Sequence, residues 1–372
     1  MLHQGKVEQD KSSCSTKAQS SNSTFFECDD INNTRHIDDN ILVSIIVPVY
    51  NSEQFLKNML DSLLGQTYQY IQIICVNDGS KDSSLEILRN YENRDSRMVV
   101  IDKKNEGAGA ARNHGLKKAD GKYLLFIDSD DFIEKDCIER LLFAAEKNQT
   151  DIVVFGLDHY DNKTGEFFPN PWAVSQPHIP VKKNFYANDI DHIYKHLIGY
   201  TVNKFYLSSF LTGLELQFPS IGAHEDMSFT YTALSAAHKI FYLDKILYHY
   251  RCSRQESLSA TSANNYWYMF DALDILKTEL TRNKLWSTYE RNFSNYVLHM
   301  CAWKCSKLHK LRRLEFRDSC RTHWFHHFNL HEHKRDYFFD EGEYHFLEDT
   351  LNMSLLRKVF AKVSRIFIAH PK

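Results

Sequence analysis

The chain has 372 residues, with 45 Lys and Arg against 48 Asp and Glu, a formal charge of −3. That balance gives no electrostatic basis for non-specific nucleic-acid binding, and no run of about 18 apolar residues is present to span a membrane. With 43% hydrophobic residues, 20 Tyr and 25 Phe, one large domain and a smaller one can be filled.

Residues 1–40 are rich in Ser, Asn, Asp and Lys and lack the apolar segment of a secretory signal. They read as a flexible polar tail in which Phe25 and Phe26 can dock locally. Order is expected to begin at ILVSIIVPVYN (41–51), whose continuous apolar run suits a strand buried on both faces. Pro48 marks its end, because proline brings no ladder N–H. Phe55, Leu56, Met59, Leu60, Leu63 and Leu64 then fall at helical spacing, with Ser52 as N-cap. A second strand, IQIICVNDGS, precedes a helix capped by Asp82 or Ser83. A third strand, MVVIDKKNEG, precedes the helix GAGAARNHGLKKAD, and LLFIDSDDFI (124–133) is the fourth strand. This β-α-β-α-β-α-β order predicts a wound, mostly parallel sheet.

Beyond it the pattern predicts a helix near 135–148 and a strand at DIVVFGLDHY. Residues 160–200, with Pro169, Pro171, Pro177 and Pro180, read as irregular. A helix is expected after Glu225 and Asp226, a strand over 239–250, and aromatic-rich helices over 263–330. The eight cysteines (Cys14, Cys28, Cys75, Cys137, Cys252, Cys301, Cys305, Cys320) form no paired CxxC motif. They read as ordinary thiols of a reducing cytoplasm.

Three strands end in polar clusters: Tyr50-Asn51, Asn77-Asp78-Gly79 and Asp128-Ser129-Asp130. Ligands of open α/β sheets bind outside the carboxyl ends of the strands, so these tips mark the candidate site. Asp128 and Asp130, two apart in a strand-end loop, suit a hard divalent cation that takes oxygen ligands. Taken alone, DxD is more often an acidic loop. Asp131 is assigned to the cap of the following helix, and Asp78 is either a turn residue or a hydrogen-bond acceptor for a ligand. NEGAGAARNHG has GxG without GxGxxG and so is no dinucleotide fingerprint. Its Arg112 either faces a phosphate or is structural.

VSIIVPVYN (43–51), VNDGSKDSS (76–84), KNEGAGAARNHG (104–115), FIDSDD (126–131) and HED (224–226) occur in this order. Together they resemble glycosyltransferase family 2, over roughly residues 43–260. The resemblance implies a GT-A fold, Rossmann-like with a mostly parallel sheet and flanking helices, in an inverting enzyme of the bacterial surface-polysaccharide type. It implies a nucleotide-diphosphate sugar donor, Mg²⁺ or Mn²⁺ as cofactor, and transfer of a hexosyl or N-acetylhexosaminyl group to a glycan or lipid-linked acceptor. By position, Pro48, Tyr50 and Asn51 would border the nucleoside and Asp78 would bind the base. Lys104 or Arg112 would lie near the nucleotide, Asp128 and Ser129 near the ribose or sugar, and Asp130 on the metal. Asp226 would be the catalytic base with Glu225 beside it. His224 stands where members often have glycine. VNKFY (202–206) and LYHYRCSRQESLS (247–259) resemble further family segments, the second offering His249, Arg251 or Arg254 to the diphosphate.

The expected organisation is a tail over 1–40, a GT-A domain over 41–255 (nucleotide-sugar half 41–155, acceptor half 156–255) and a helical C-terminal region over 256–372. In the last, residues 355–370 alternate apolar and basic residues at helical spacing. That pattern suits either an anionic membrane surface, on the inner face of the cell membrane, or packing on the protein itself. The His-rich THWFHHFNLHEHK (322–334) reads as a packed or surface helix rather than a zinc site. Two alternatives stay open at this level: a Mg²⁺-dependent phosphotransferase with an aspartate nucleophile, and a non-catalytic nucleotide-sugar-binding protein.

Overall fold

A computed structural model describes residues 40–252 and 266–354. The predicted tail, Arg254 and the 355–370 segment lie outside the described residues.

Strand β1 (Val43–Val49) is buried along its whole length, as its unbroken β-branched run requires. It pairs in parallel with β2 (Ile71–Asp78) on one side and β4 (Tyr123–Phe126) on the other. The strand runs one residue past Pro48. Ile46 O accepts from Ile127 N, so alternate residues 46 and 48 face the β4 side, where pairing stops at Ile46↔Phe126. The missing N–H of Pro48 therefore forfeits no ladder bond. β3 (Met98–Lys103) adds to β2, also in parallel. Three connecting helices follow the predicted pattern: α1 (Glu53–Leu64), α2 (Ser84–Glu92) and α3 (Ala108–Leu116).

The strand order is β3-β2-β1-β4-β9-β6-β10-β5. The chain runs outward from β1 to β3 and then returns to β4 on the opposite side of β1. The switch point between β1 and β4 is where such sheets form their ligand crevice. Beyond β4 the sheet turns mixed. β9 (Lys204–Leu207) is antiparallel between β4 and β6 (Ile152–Asp161), and β10 (Ile240–Cys252) is parallel to β6. β5 (Phe132–Ile133) closes the far edge, β7 (Phe167–Pro169) folds back on β6, and β8 (Asn184–Phe185) pairs with β10. The 160–200 stretch is irregular apart from these short strands and brief helical turns such as α5 (Ile193–His196).

After α4 (Cys137–Asn148) and α6 (Ser208–Leu214), α7 (Glu225–Ala236) is buried on every side from Met227 to Ser235. A helix apolar or enclosed all round belongs to a core, and its neighbours explain why. Tyr231 packs against Tyr194 of α5 and against Tyr296 of α9 (Trp286–Lys307), with ring centroids 4.5 and 4.9 Å apart. The C-terminal helices α8 (Trp267–Arg282) and α9 thus brace the helix that begins with Glu225 and Asp226, and α10 (Lys310–Ser319) and α11 (Glu341–Leu351) pack on α9 in turn. Phe270 of α8 stacks on Trp324 at 3.9 Å. In the His-rich stretch, His323 stacks on His327, which bonds Asp274 at 2.6 Å. The described cysteines are free thiols.

Two predicted caps are corrected. Ser52 sits at the N-cap of α1, but its hydroxyl bonds Ser129 Oγ at 2.6 Å and the Tyr50 carbonyl instead of a helix N–H. The helix ends are served across the sheet: Glu53 N donates to Asp82, and Ser83 N donates to Glu53. Asp131 caps no helix. It is fully buried, accepting from the Tyr248 hydroxyl at 2.6 Å and Arg251 N at 2.8 Å, while Asp136 precedes α4.

Candidate active site

At the tip of β1, Tyr50 is 46% exposed and Asn51 takes a left-handed φ of 49°. Asparagine tolerates this region because its short amide bonds locally. Here Asn51 N donates to Ser80 Oγ, and its side-chain oxygen accepts from Lys81 N at 2.8 Å. The 2.6 Å bond between Ser52 and Ser129 ties this tip to that of β4 across the switch point.

At the tip of β2, Asp78 is buried and accepts three hydrogen bonds: from Lys103 Nζ (2.6 Å), Glu106 N (3.0 Å) and Gly107 N (2.7 Å). Gly107 reaches its place with φ 92°, a conformation that favours glycine. Asp78 thereby fixes the loop that leads into α3. Lys104, named from the sequence, is exposed. Its neighbour Lys103 grips Asp78 as its register partner on the adjacent parallel strand, a pairing that only the folded sheet reveals.

Arg112 organises the third corner. Its guanidinium, only 5% exposed, bonds Asp128 at 2.8 Å and Glu225 at 2.8 Å. Burial alone would lower its pKa, but the charges of Asp128, Glu225 and Asp226 raise it. Helix α3 can approach this closely because a Cβ on Gly109 would lie 2.6 Å from the Pro219 carbonyl. Asn113 seals the contact by exchanging two hydrogen bonds with the Phe218 backbone. Glu225 and Asp226 lie in the first turn of α7, after His224 at φ 64°. A residue forced into that left-handed conformation explains a glycine preference at this position.

Burial first, and then the neighbouring Glu225 charge, push the Asp226 carboxyl up to about 7. Asp131 is pushed up to about 8 by burial and by Asp128. Close by, Lys204 is fully buried, with Nζ on Asn203 Oδ1 (2.6 Å) and the Ile198 carbonyl, and burial pushes it down to about 7. Of the residues offered for a diphosphate, His249 is held between Asp158 (2.7 Å) and Glu134 (3.1 Å). Arg251 bonds Asn58, Asn162 and the Asp130 carbonyl.

Asp128 and Asp130 are both half-buried at the mouth of the crevice, and Arg112 takes one Asp128 oxygen. Among the described residues no three acidic, His or Cys side chains form a complete metal site. Two carboxylates completed by substrate phosphate oxygens and water are a set that Mg²⁺ or Mn²⁺ accepts. The residues fit a cation held jointly with a ligand.

The model of glycosyl transferase family 2 matches residues 44–207, from β1 to β9. The putative glycosyltransferase EpsH of Bacillus subtilis (strain 168) is 37% identical over 213 residues, 56% of this chain and 60% of EpsH. The poly(ribitol-phosphate) beta-glucosyltransferase of Bacillus spizizenii is 33% identical over 246 residues, 63% of this chain and 37% of that protein. The chain thus spans less than two thirds of either relative's length. The crystal structure of S. aureus TarS 1-349 in complex with UDP superposes with a TM-score of 0.58 at 20% identity, covering 88% of each chain, which establishes the shared GT-A fold. With that fold, these motifs and the matched segment in agreement, residues 44–207 form a glycosyl transferase family 2 domain.

Proposed function

We propose that the chain is an inverting glycosyltransferase that moves a sugar from a nucleotide-diphosphate donor, a UDP-sugar, to a hydroxyl of a glycan or lipid-linked acceptor in surface polysaccharide or lipooligosaccharide assembly. The observation that carries this reading is the Arg112 bridge. It gathers a donor-side carboxylate, Asp128, and the first turn of α7, so that Asp226 stands at the same crevice with a raised pKa.

The nucleoside lies against Pro48, Tyr50 and Asn51. A carboxylate offers about four acceptor positions; three on Asp78 are filled, leaving one for a base N–H. Lys104 edges the same pocket, while Asp128 and Ser129 meet the ribose and sugar. Asp130, with Asp128, would hold Mg²⁺ or Mn²⁺. When bound, the cation neutralises the charge that develops on the leaving diphosphate. Asp226 takes the acceptor's hydroxyl proton as that oxygen attacks the anomeric carbon. A pKa of about 7 makes it a stronger base than an ordinary aspartate while leaving much of it ionised at neutral pH. Glu225, bound to Arg112, anchors the turn that carries Asp226. One in-line displacement inverts the anomeric centre.

Among the described residues no helix is long and apolar enough to cross a membrane. The basic pattern of 355–370 leads us to include a peripheral contact with anionic lipid. Deletion of residues 352–372 should abolish co-sedimentation with anionic vesicles, and unchanged binding removes the contact. The central test is a screen of nucleotide sugars for Mn²⁺-dependent hydrolysis and thermal stabilisation. One UDP-sugar should stabilise the chain with Mn²⁺, and both chelation and Asp130→Ala should abolish the gain. UDP-sugar binding that ignores both removes the metal from the reading.

A further inference from the structure

On the far half of the sheet, Phe168 of β7, His159 of β6 and Tyr250 of β10 are register partners across three adjacent strands. Residues directly opposite on paired strands project to the same face. The next row, Phe167, Tyr160 and Arg251, projects to the other face. There Arg251 lies over the rings of Phe55, Phe132 and Tyr160 and bonds Asn58 of α1. One face of these strands is therefore filled by α1, while the other carries the Phe168–His159–Tyr250 row.

That row continues toward the carboxylates. The His159 ring is 5.6 Å from Tyr250, and Tyr200 stacks on Tyr250 with centroids 6.4 Å apart and planes within 15°. Gly199, just before Tyr200, lies against the Tyr231 ring of α7, the helix that begins with Glu225 and Asp226. The Tyr200 hydroxyl is pushed up to about 12, first by burial and then by the charges of Asp226 and Asp128. At the other end Phe168 is 47% exposed, and Asn170 sets its amide nitrogen 2.9 Å from His159 Nε2.

We infer that Phe168, His159, Tyr250 and Tyr200 form a binding site for pyranose rings of the acceptor chain, leading outward from Asp226. The inference rests on the glycosyl transfer proposed above and adds the class of acceptor. A pyranose has an apolar C–H face that packs on aromatic rings and a rim of hydroxyls. Tyr, His and Asn combine such a ring surface with polar atoms at its border. Two strand spacings separate Phe168 from Tyr250, about 10 Å, which is wider than one sugar. Charge selects among acceptors. The row contains no Lys or Arg, Arg251 projects to the opposite face, and burial lowers the pKa of His159, keeping its ring neutral. A polyol-phosphate chain would call for guanidinium or ammonium partners, so the row favours a neutral glycan.

The test uses the full chain on an array of bacterial surface glycans, with poly(ribitol phosphate) included. Hits are measured by saturation-transfer NMR, and UDP affinity is measured in parallel by calorimetry. We expect a pyranose oligosaccharide to bind through its ring C–H protons. Phe168→Ala and Tyr250→Ala should each weaken it at least about tenfold, with UDP affinity within about twofold, while Tyr250→Phe should retain binding. The proposal is overturned if no glycan binds while UDP does, if glycan binding survives both alanine variants, or if poly(ribitol phosphate) is the better ligand. Failure to bind UDP would instead remove the nucleotide-donor reading, and glycan binding lost in the row variants would still uphold this site.

Discussion

At the tip of β2, one carboxylate, Asp78, accepts from two backbone N–H groups and from Lys103, which also meets Glu106. At the corner between β4 and α7, Asp128 and Glu225 divide the guanidinium of Arg112, and Asp226 shares its field. In the second corner Asp226 and Asp131 are both raised, in part by neighbouring carboxylates. The first corner pairs its carboxylate with a cation and two N–H groups, so it holds a loop and keeps one acceptor position for a ligand. The second carries more negative charge than its own cations offset, which is the condition a bound cation and a developing leaving group can use.

The largest expected effect breaks the second corner at its base. Asp226→Asn keeps the shape of the side chain and removes its basicity, so turnover should fall about 10³-fold, within the usual range for a general base, while calorimetric donor affinity changes little. The pH profile sharpens the assignment. The ionised form is the base, so kcat/KM should rise about tenfold per pH unit below about 7 and level off above it. Near-normal turnover in a folded Asp226→Asn variant would move the base elsewhere.

Next comes stability, which should separate the two corners. Arg112→Ala leaves the Asp128 and Glu225 carboxylates without their shared partner. Removing one member of a buried ion pair destabilises by about 4 kcal/mol. Asp78→Asn keeps one acceptor oxygen for the loop, sets its amide nitrogen against the other loop N–H and leaves Lys103 with Glu106 at 2.9 Å, so the loss should be about 2 kcal/mol. Urea unfolding of both variants measures the gap, and equal losses would erase the distinction drawn here.

The same two corners mark how far the sequence could be read. The wound half was legible because strands buried on both faces leave unbroken apolar runs, and the helices between them show 3.6-residue spacing. The polar tips were legible for the same reason, since each interrupts such a run. What the sequence hid were partners set by tertiary approach. Glu225 lies 113 positions from Arg112, and Tyr248 lies 117 from Asp131. Nothing local distinguishes Asp131 from a helix cap until β10 arrives beside it. Ser52 likewise reads as a cap until β4 brings Ser129 within reach. The antiparallel β9, inserted between β4 and β6, is four residues long, too short for periodicity to fix its direction.

Asp131 supplies the effect that pH alone reveals. An ordinary aspartate titrates near 3.8, and this one is pushed up to about 8 by burial and then by Asp128. The folded chain then holds a proton that the unfolded chain has released, so stability declines as pH rises from about 4 to about 8. Asp131→Asn stays uncharged at every pH, can still accept from Arg251 N through its one oxygen and can donate its amide N–H to the Tyr248 hydroxyl, so it should remove this decline. The urea midpoint of the wild type should therefore fall between about pH 5 and about pH 8 more than that of the variant. Magnesium with UDP, by offsetting the Asp128 charge, should narrow the difference. Parallel midpoints in both proteins would mean that Asp131 is ionised in the folded state and that the second corner already balances its own charge.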